Sequence, residues 1–163
     1  MIKTIKIPEE RLPALIGKNG ATRKNIQKKT KTKIVIDEDV TVEGDSINVL
    51  DAENVIKAIG RGFSPQNAEL LLDEDSTLLI IELPKSERAL KRIKSRLIGT
   101  NGKSRRNIER LTGTRISVYG KTASLIGKYA NVDLAQQAIT KIMDGLPHRL
   151  VYEFLEGKQN ERA

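Results

Sequence analysis

One twelve-residue pattern occurs twice in this chain, and its two occurrences lie half a chain apart. Residues 15–26 read LIGKNGATRKNI, and residues 97–108 read LIGTNGKSRRNI. The match continues downstream, since the pattern T-x-T-x-I occupies residues 30–34 and again residues 112–116. The offset is 82 residues in both cases, within a chain of 163 residues. Solenoid repeats are about 20–50 residues long, so a longer period indicates a duplicated domain. The sequence therefore predicts two copies of one small domain.

The first half of the chain shows hydrophobic spacing that predicts both strands and helices. The predicted elements are a strand over 2–7, helices over 9–16 and 21–29, and a strand over 33–37. A further strand lies at 40–42 or at 47–49, and the pattern does not decide between them. Asp51 is the predicted N-cap of a helix that ends at Arg61. Ser64-Pro65 predicts the start of a short helix to Leu72, because proline is favoured at the first helical position.

The second half repeats this order with a longer first helix. The predicted elements are a strand over 77–83, helices over 84–99 and from 103 to 111, strands over 115–119 and 122–126, and helices over 131–145 and 147–156. The polar tail after Gly157 is expected to fray, as chain ends commonly do. Residues 120 and 121 form the predicted tight turn between the last two strands.

Each half therefore has the order β-α-α-β-β-α. Such elements bury their apolar stripes together when a three-stranded antiparallel sheet is covered by helices on one face, which predicts the α+β class. The predicted division is a first domain over 1–63, a connecting helix and linker over 64–76, a second domain over 77–146, and a C-terminal helix with a frayed tail over 147–163.

The repeated segment places a glycine pair, G-x-x-G, between two helices in each copy. Glycine lets the backbone pass where a Cβ atom would clash, and it lets a ligand approach the main chain. The second helix begins directly after Gly20 and after Gly102, so its unpaired N–H groups and the positive end of its dipole face the loop. Such an arrangement favours anions. Basic residues beside the loops strengthen that preference, and they are Lys18, Arg23, Lys24, Lys103, Arg105 and Arg106.

A glycine pair of this kind, followed five residues later by Asn-Ile within the β-α-α-β-β-α order, resembles the type I KH domain. The resemblance implies that each loop clamps the backbone of about four nucleotides of single-stranded nucleic acid. It also implies an apolar groove for the bases, lined by Leu15, Ile16, Ile34 and Val35 in the first copy and by Leu97, Ile98, Ile116 and Ser117 in the second.

The predicted RNA-binding residues combine the loops, the adjacent groove positions and the nearby cations. They are Ile16, Gly17, Lys18, Asn19, Gly20, Arg23, Lys24, Ile34, Arg88, Arg92, Arg96, Ile98, Gly99, Thr100, Asn101, Gly102, Lys103, Arg105, Arg106, Arg115 and Ile116. No catalytic residue, metal ligand or cofactor is predicted.

Composition supports an RNA-binding module of this type and argues against others. The chain has three tyrosines, two phenylalanines and no tryptophan, which is too few for a domain that stacks bases on aromatic side chains. It has no cysteine, which excludes disulfides, zinc knuckles and thiol catalysis. The net charge of +8 favours a polyanionic partner. The absence of a long apolar run predicts a cytoplasmic protein without a membrane span.

The positive charge is concentrated in the second copy. Residues 1–76 hold 12 basic and 13 acidic residues, whereas residues 77–163 hold 17 basic and 8 acidic residues. Between residues 85 and 115 there are eleven basic and two acidic residues, and three of them, Arg88, Arg92 and Arg96, are spaced four apart as on one helix face. The second copy is therefore expected to contribute more of the electrostatic affinity for RNA.

The whole chain resembles a narrower family, the archaeal KH proteins of small-subunit ribosome assembly. The resemblance includes the tandem copies, the segment from Gly60 to Pro65, and the segment from Ile116 to Thr122. It implies single-stranded RNA near the 3′ end of small-subunit rRNA as ligand. It also implies as partners a Nob-type ribosome-assembly endonuclease and other ribosomal or translation proteins. Eukaryotic relatives have lost the first G-x-x-G loop, whereas Gly17 to Gly20 are intact here, so the first copy binds RNA or mainly protein.

Three further features bear on other interpretations of the sequence. The segment 101–104 resembles the end of a phosphate-binding P-loop, but Leu97 stands where the first glycine is required. His148 is the single histidine, and a capping or surface role is expected. An enzyme would need an acid–base or metal constellation near the loops, which the sequence does not offer. The alternative function is a scaffold in which one KH copy docks a protein partner.

Overall fold

The computed structural model describes residues 1–162 and divides them into two compact units. Unit 1 spans Met1–Glu74, and unit 2 begins at Asp75. Both units contain a three-stranded antiparallel sheet with helices. Among the described residues, no helix is both long enough and apolar enough to cross a membrane.

Unit 1 follows the predicted order of elements. They are β1 (Ile2–Ile5), a 3₁₀ turn (Glu9–Arg11), α1 (Leu12–Ile16), a 3₁₀ turn (Lys18–Gly20), α2 (Ala21–Thr30), β2 (Lys33–Ile36), β3 (Val40–Glu43), α3 (Ser46–Gly60), α4 (Pro65–Ala68) and a 3₁₀ turn (Glu69–Leu72). The strand order is β1-β3-β2, and the register aligns Thr4 and Val35 with Thr41 of the central strand.

Unit 2 repeats this topology and adds a helix. Its elements are β4 (Ser76–Glu82), α5 (Glu87–Ile98), a 3₁₀ turn (Thr100–Gly102), α6 (Lys103–Thr112), β5 (Arg115–Tyr119), β6 (Thr122–Lys128), α7 (Tyr129–Met143) and α8 (His148–Arg162). The strand order is β4-β6-β5, and Leu79 and Ile116 align with Leu125 on the core side of the sheet. The predicted α+β class, with two β-α-α-β-β-α copies, is confirmed.

The undecided strand of unit 1 is β3, and the residues around Ile47 belong to α3. The prediction that Asp51 caps this helix is wrong, because α3 begins at Ser46 and Asp45 is its N-cap. The helix is set by its buried stripe, which starts at Val49, two residues before the predicted cap. Ser64 is an N-cap as predicted, and its side chain accepts a hydrogen bond from the Asn67 backbone N–H at 3.2 Å.

The C-terminal helix is longer than the sequence pattern predicts. We expected fraying after Gly157, but α8 continues to Arg162. Val151 and Leu155 are fully buried in the core of unit 2 and hold the helix at its first half, so the polar residues that follow extend a helix already formed.

Candidate nucleic-acid interface

The first glycine of each loop adopts a backbone conformation that only glycine populates. Gly17 has φ 74° and ψ 179°, and Gly99 has φ 74° and ψ 176°. Other residues essentially never occupy this region. A Cβ atom at Gly17 would lie 2.7 Å from Thr22 Cβ, and one at Gly99 would lie 2.8 Å from Ser104 Cβ. The first glycine therefore lets the chain turn while it packs against the first turn of the next helix.

The rest of each loop is a tight left-handed turn. Asn19 and Asn101 both have φ 55°, and the second glycines, Gly20 and Gly102, both have φ 76°. Asparagine and glycine are the residues that best tolerate such values. The two loops thus have the same backbone shape, which the matching sequence pattern had indicated.

Each loop leads directly into the N-terminus of a ten-residue helix. Gly20 is the N-cap of α2 and Gly102 is the N-cap of α6, and no side chain of the described residues caps either helix. The first N–H groups, those of Ala21 and Lys103, donate to the Lys18 and Thr100 carbonyls of the loops. The donors left for a ligand are therefore those of the next residues in the first turn. The loop tips are open as well, since Lys18, Asn19, Thr100 and Asn101 are exposed. Helix N–H groups without a side-chain cap, a helix dipole and an open approach together form an anion site.

The basic residues after the loops are held to different degrees. Arg106 Nη1 donates to the Asn101 carbonyl at 2.6 Å, which ties the α6 side chain to the loop. Its counterpart Lys24 is exposed and has no hydrogen-bond or ion-pair partner among residues 1–162. Lys103 is also exposed at the start of α6.

The first arginine of each helix pairs with the side chain one turn later. Arg105 Nη1 lies 2.7 Å from Glu109 Oε1, and Glu109 Oε2 accepts the Ile116 backbone N–H at 2.8 Å. In unit 1, Arg23 Nη1 donates to Gln27 Oε1 at 3.1 Å and to the Ile34 carbonyl at 3.2 Å. Both arginines therefore take part in joining the second helix to the edge strand, while they remain partly exposed.

The prediction that the side chains of Ile34 and Ile116 line the grooves is wrong. Ile34 is 1% exposed and Ile116 is 6% exposed, so neither side chain is open to a base. Successive residues of a strand face opposite sides, and both isoleucines face the core. Leu15 and Leu97, which the family resemblance also placed in the grooves, are buried for the equivalent reason on their helices. The accessible apolar wall is instead formed by Ile16 and Val35 in unit 1 and includes the half-buried Ile98 in unit 2.

The predicted arginine stripe of α5 is only partly available. Arg88, Arg92 and, on β5, Arg115 are exposed. Arg96 is not free for RNA, because its guanidinium donates to the Ile142 carbonyl at 2.7 Å and to the Leu146 carbonyl at 2.6 Å. The Ile142 carbonyl belongs to the last turn of α7 and also accepts the Gly145 N–H at 3.1 Å, and the Leu146 carbonyl lies just after the helix. Arg96 therefore stabilises the end of a helix, and its place in the predicted stripe is corrected accordingly.

An open groove runs along α5 to the loop of unit 2. This α5 groove has a volume of about 600 Å³ and is lined by Glu87, Leu90, Lys91, Lys94, Ser95, Ile98, Gly99 and Thr100. Lys91 and Lys94 were missed by the sequence analysis. Their spacing could have revealed them, because residues seven and four positions before Ile98 lie on the same face of the helix as Ile98. The groove combines an apolar floor with cations and ends at the anion site of the loop.

No group of three or more His, Cys, Asp or Glu side chains within residues 1–162 is arranged to hold a metal ion. His148, the single histidine, packs at the start of α8, where its Nε2 atom lies 2.8 Å from the Arg96 carbonyl. The expected capping or surface role for this residue thus takes the form of a contact with the end of α5.

Two family models match the chain. A KH-domain model matches residues 2–58, and a model described as the eukaryotic type KH domain (KH-domain type I) matches residues 77–160. The two matches fall on unit 1 and unit 2 respectively.

Individual proteins are similar over most of the chain. A KH domain-containing protein of Methanocaldococcus jannaschii is 38% identical over 98% of this chain and 75% of that protein. The pre-rRNA-processing protein pno1 of Aspergillus oryzae is 32% identical over 61% of this chain, which corresponds to 41% of the fungal protein. A chain in the crystal structure of the a/eIF2alpha–aDim2p–rRNA complex from Pyrococcus horikoshii has a TM-score of 0.91 and 40% identity, covering 99% of this chain and 95% of that chain.

Proposed function

Since this chain belongs to the KH-domain family, in the group that includes the Dim2 and Pno1 proteins, we propose that it binds single-stranded RNA of the small ribosomal subunit during ribosome assembly. The observation that carries the proposal is the pair of exposed G-x-x-G loops, each leading into a helix N-terminus without a side-chain cap. Support for the ligand comes from the Pyrococcus relative, which forms a complex that contains rRNA, and from the fungal relative, which is a pre-rRNA-processing protein.

The sugar-phosphate backbone is bound at the loops. Phosphate oxygens accept hydrogen bonds from uncapped N–H groups in the first turns of α2 and α6, and the glycines let the strand lie against the main chain. Exposed cations, among them Lys24, Lys103 and Arg106, neutralise neighbouring phosphates. These contacts position the strand and supply affinity without reading sequence.

Bases are read in the grooves beside the loops. In unit 2 the α5 groove offers Leu90 and Ile98 to base faces and the side chains of Lys91 and Lys94 to base edges or phosphates. Aliphatic contacts of this kind suit a chain with five aromatic residues. Sequence preference then arises from hydrogen bonds to base edges, which are accessible in a single strand and not in an RNA duplex.

The chain is proposed to act by binding and not by catalysis. Cleavage of the rRNA is assigned to a partner, the Nob-type endonuclease that the family resemblance implies, with this chain presenting the 3′ region of the rRNA. The work is expected to take place in the cytoplasm. Incubation of the purified chain with labelled rRNA fragments tests whether the chain binds without catalysis, since binding without any cleavage product is the expected result.

A second function, docking of a protein, is favoured by one observation. The Pyrococcus relative is found together with a/eIF2alpha as well as rRNA, so related chains meet a translation factor while RNA is present. We propose that one unit of this chain also binds a ribosomal or translation protein. Unit 1 is the better candidate, because its half of the chain carries 12 basic and 13 acidic residues and lacks the positive surplus of unit 2.

The test replaces both central residues of a loop with aspartate. Thr100→Asp with Asn101→Asp places two carboxylates against the phosphates, and we expect the affinity for single-stranded rRNA to fall about a hundredfold, which is about 3 kcal/mol. The matched change in unit 1, Lys18→Asp with Asn19→Asp, is expected to lower the affinity less. Fluorescence anisotropy with the 3′-terminal segment of small-subunit rRNA measures both, and circular dichroism checks that the fold is retained. Unchanged affinity in the Thr100 and Asn101 variant would remove unit 2 from the RNA site.

A further inference from the structure

A second depression lies on the other side of the unit 2 loop from the α5 groove. This α8 groove has a volume of about 420 Å³ and is lined by Ser95, Arg96, Gly99, Thr100, Lys103, Ser104, His148 and Tyr152. Three of these residues, Ser95, Gly99 and Thr100, also line the α5 groove. The beginning of the loop is thus a ridge between two grooves. A volume of this size accommodates a small-molecule group such as a nucleotide.

One wall of the α8 groove is aromatic. The rings of His148 and Tyr152 have centroids 6.1 Å apart at an interplanar angle of 44°. The His148 ring is fixed by its contact with the Arg96 carbonyl at 2.8 Å, and since a carbonyl only accepts, Nε2 is the donor. Tyr152 is half-buried against the core of unit 2, so its ring is held without being covered. Fixed, partly open rings are the side chains on which unpaired bases stack.

The part of the lining that α6 contributes is polar and positive. Lys103 is exposed at the first position of α6, and the neighbouring backbone N–H groups have no side-chain cap among the described residues. Ser104 Oγ is buried in this wall and has no hydrogen-bond partner within residues 1–162. A buried hydroxyl without a partner is unfavourable, so a ligand that supplies an acceptor is favoured here. The lining contains the exposed cation Lys103, the carbonyl-bonded guanidinium of Arg96 and no carboxylate, which fits a polyanion better than an acidic or apolar peptide.

We propose that the α8 groove binds one further nucleotide of the RNA strand held by unit 2. The strand leaves the α5 groove, crosses the ridge at Gly99 and Thr100, and places its next base on the Tyr152 ring with its phosphate at Lys103. This inference rests on the proposed RNA-binding function and extends it, because α8 lies outside the β-α-α-β-β-α order that the two units share. A KH groove holds about four nucleotides, and unit 2 therefore contacts more than that number.

The experiment lengthens the RNA and removes the aromatic ring. The full chain carries Lys18→Asp with Asn19→Asp, so that binding reports on unit 2. Single-stranded RNAs from the 3′ end of small-subunit rRNA start at about four nucleotides and are lengthened one nucleotide at a time at either end. We expect one added nucleotide, at one end only, to raise the affinity about tenfold, the effect of stacking one base on an aromatic ring.

Three variants assign that gain. Tyr152→Ala is expected to lose it while the affinity for the shortest RNA stays the same, and Tyr152→Phe is expected to keep it because the ring remains. Tyr129→Ala is the matched control, since Tyr129 is 67% exposed at the start of α7 and lines neither groove. An equal gain in Tyr152→Ala, or no gain at either end, overturns the proposal; the latter result would point to a protein ligand for this groove.

A crosslinking measurement keeps the test independent of the stability of Tyr152→Ala. RNA with 5-iodouridine at the added position is irradiated with the chain that retains Tyr152, and the crosslinked peptide is identified by mass spectrometry. A crosslink in residues 148–157 supports the proposal, and crosslinks confined to residues 87–100 contradict it. Failure of even the shortest RNA to bind would refute the proposed function itself, whereas binding of the short RNA without a gain refutes this inference alone.

Discussion

The loops of unit 1 and unit 2 share a backbone and differ in the side chains around it. Their φ and ψ values agree within 3° at both glycines and at the asparagine between them. Lys18 in one loop corresponds to Thr100 in the other, and the unpartnered Lys24 corresponds to Arg106, which is bonded to Asn101. The comparison teaches that glycine and close packing fix the shape of the anion site, whereas the charge around that shape varies from copy to copy.

A second comparison concerns the end of the third helix of each unit. In unit 1, Arg11 donates to the Ile59 and Phe63 carbonyls, both at 2.8 Å. In unit 2, Arg96 donates to the corresponding carbonyls of Ile142 and Leu146. The carbonyl pairs are equivalent, but the arginines come from different places, a 3₁₀ turn before α1 and the last turn of α5. Both units thus have a pair of carbonyls at a helix end that accepts from an arginine, and that arginine comes from a different element in each unit.

The largest expected effect tests the shared backbone. Gly17→Ala and Gly99→Ala should each lower the free energy of unfolding by about 3 kcal/mol, because the conformation is glycine-only and the added methyl meets the next helix. Gly120→Ala is the control, since a Cβ there meets nothing within 4 Å, and its φ of +56° predicts a loss of about 1 kcal/mol. Urea denaturation followed by circular dichroism measures all three. Equal losses at Gly99 and Gly120 would show that packing against Ser104 does not constrain the loop.

The next effect concerns the donors at the helix ends. Arg96→Met should lower the free energy of unfolding by about 2 kcal/mol, because two carbonyls lose part-buried hydrogen bonds from a charged group. Arg11→Met should have a similar effect in unit 1. Arg92→Met, on the exposed face of the same helix as Arg96, should change stability by less than about 0.5 kcal/mol. Thermal unfolding is the measurement, and a loss at Arg92 as large as that at Arg96 would contradict the assigned role.

The smallest expected effect comes from exchanging the side chains of Gln27 and Glu109 between the units. Gln27 and Glu109 occupy equivalent positions, and both accept from an arginine and from the first core residue of the edge strand. Gln27→Glu should stabilise unit 1 by about 0.5 kcal/mol through an ion pair with Arg23, and Glu109→Gln should destabilise unit 2 by a similar amount. Both changes are expected to vanish in high salt. Destabilisation by Gln27→Glu, stabilisation by Glu109→Gln, or changes that do not depend on salt would show that the charge of this side chain is not what joins helix and strand.

Much of the fold was predictable because it depends on local signals. The repeat, the glycine pairs and the period of the apolar residues indicated both units, the order of their elements and the loops. Ile34 and Ile116 were misplaced because a strand's faces alternate at every residue, and the sequence alone does not say which face a given isoleucine takes. Arg96 was misplaced because its acceptors lie 46 and 50 residues away along the chain. Its four-residue spacing from Arg92 suggested that both arginines bind RNA, whereas the fold directs Arg96 to backbone carbonyls.

The extent of α8, and with it the α8 groove, lay beyond prediction for a related reason. The residues after Gly157 are polar and carry no apolar period, so nothing local indicates a helix. The helix is held from its first half, where Val151 and Leu155 pack into the core of unit 2. Long-range packing therefore determines both the length of this helix and the position of Tyr152 beside the loop.

The central claim, that the loops clamp phosphates, is tested most directly by the salt dependence of RNA affinity. We predict that the logarithm of the affinity falls linearly with the logarithm of salt concentration, with a slope of about 0.7 for each phosphate neutralised. Thr100→Asp with Asn101→Asp should reduce that slope, and Lys18→Asp with Asn19→Asp should reduce it less. A slope near zero in the unaltered chain, or one that neither pair of substitutions changes, would contradict the account.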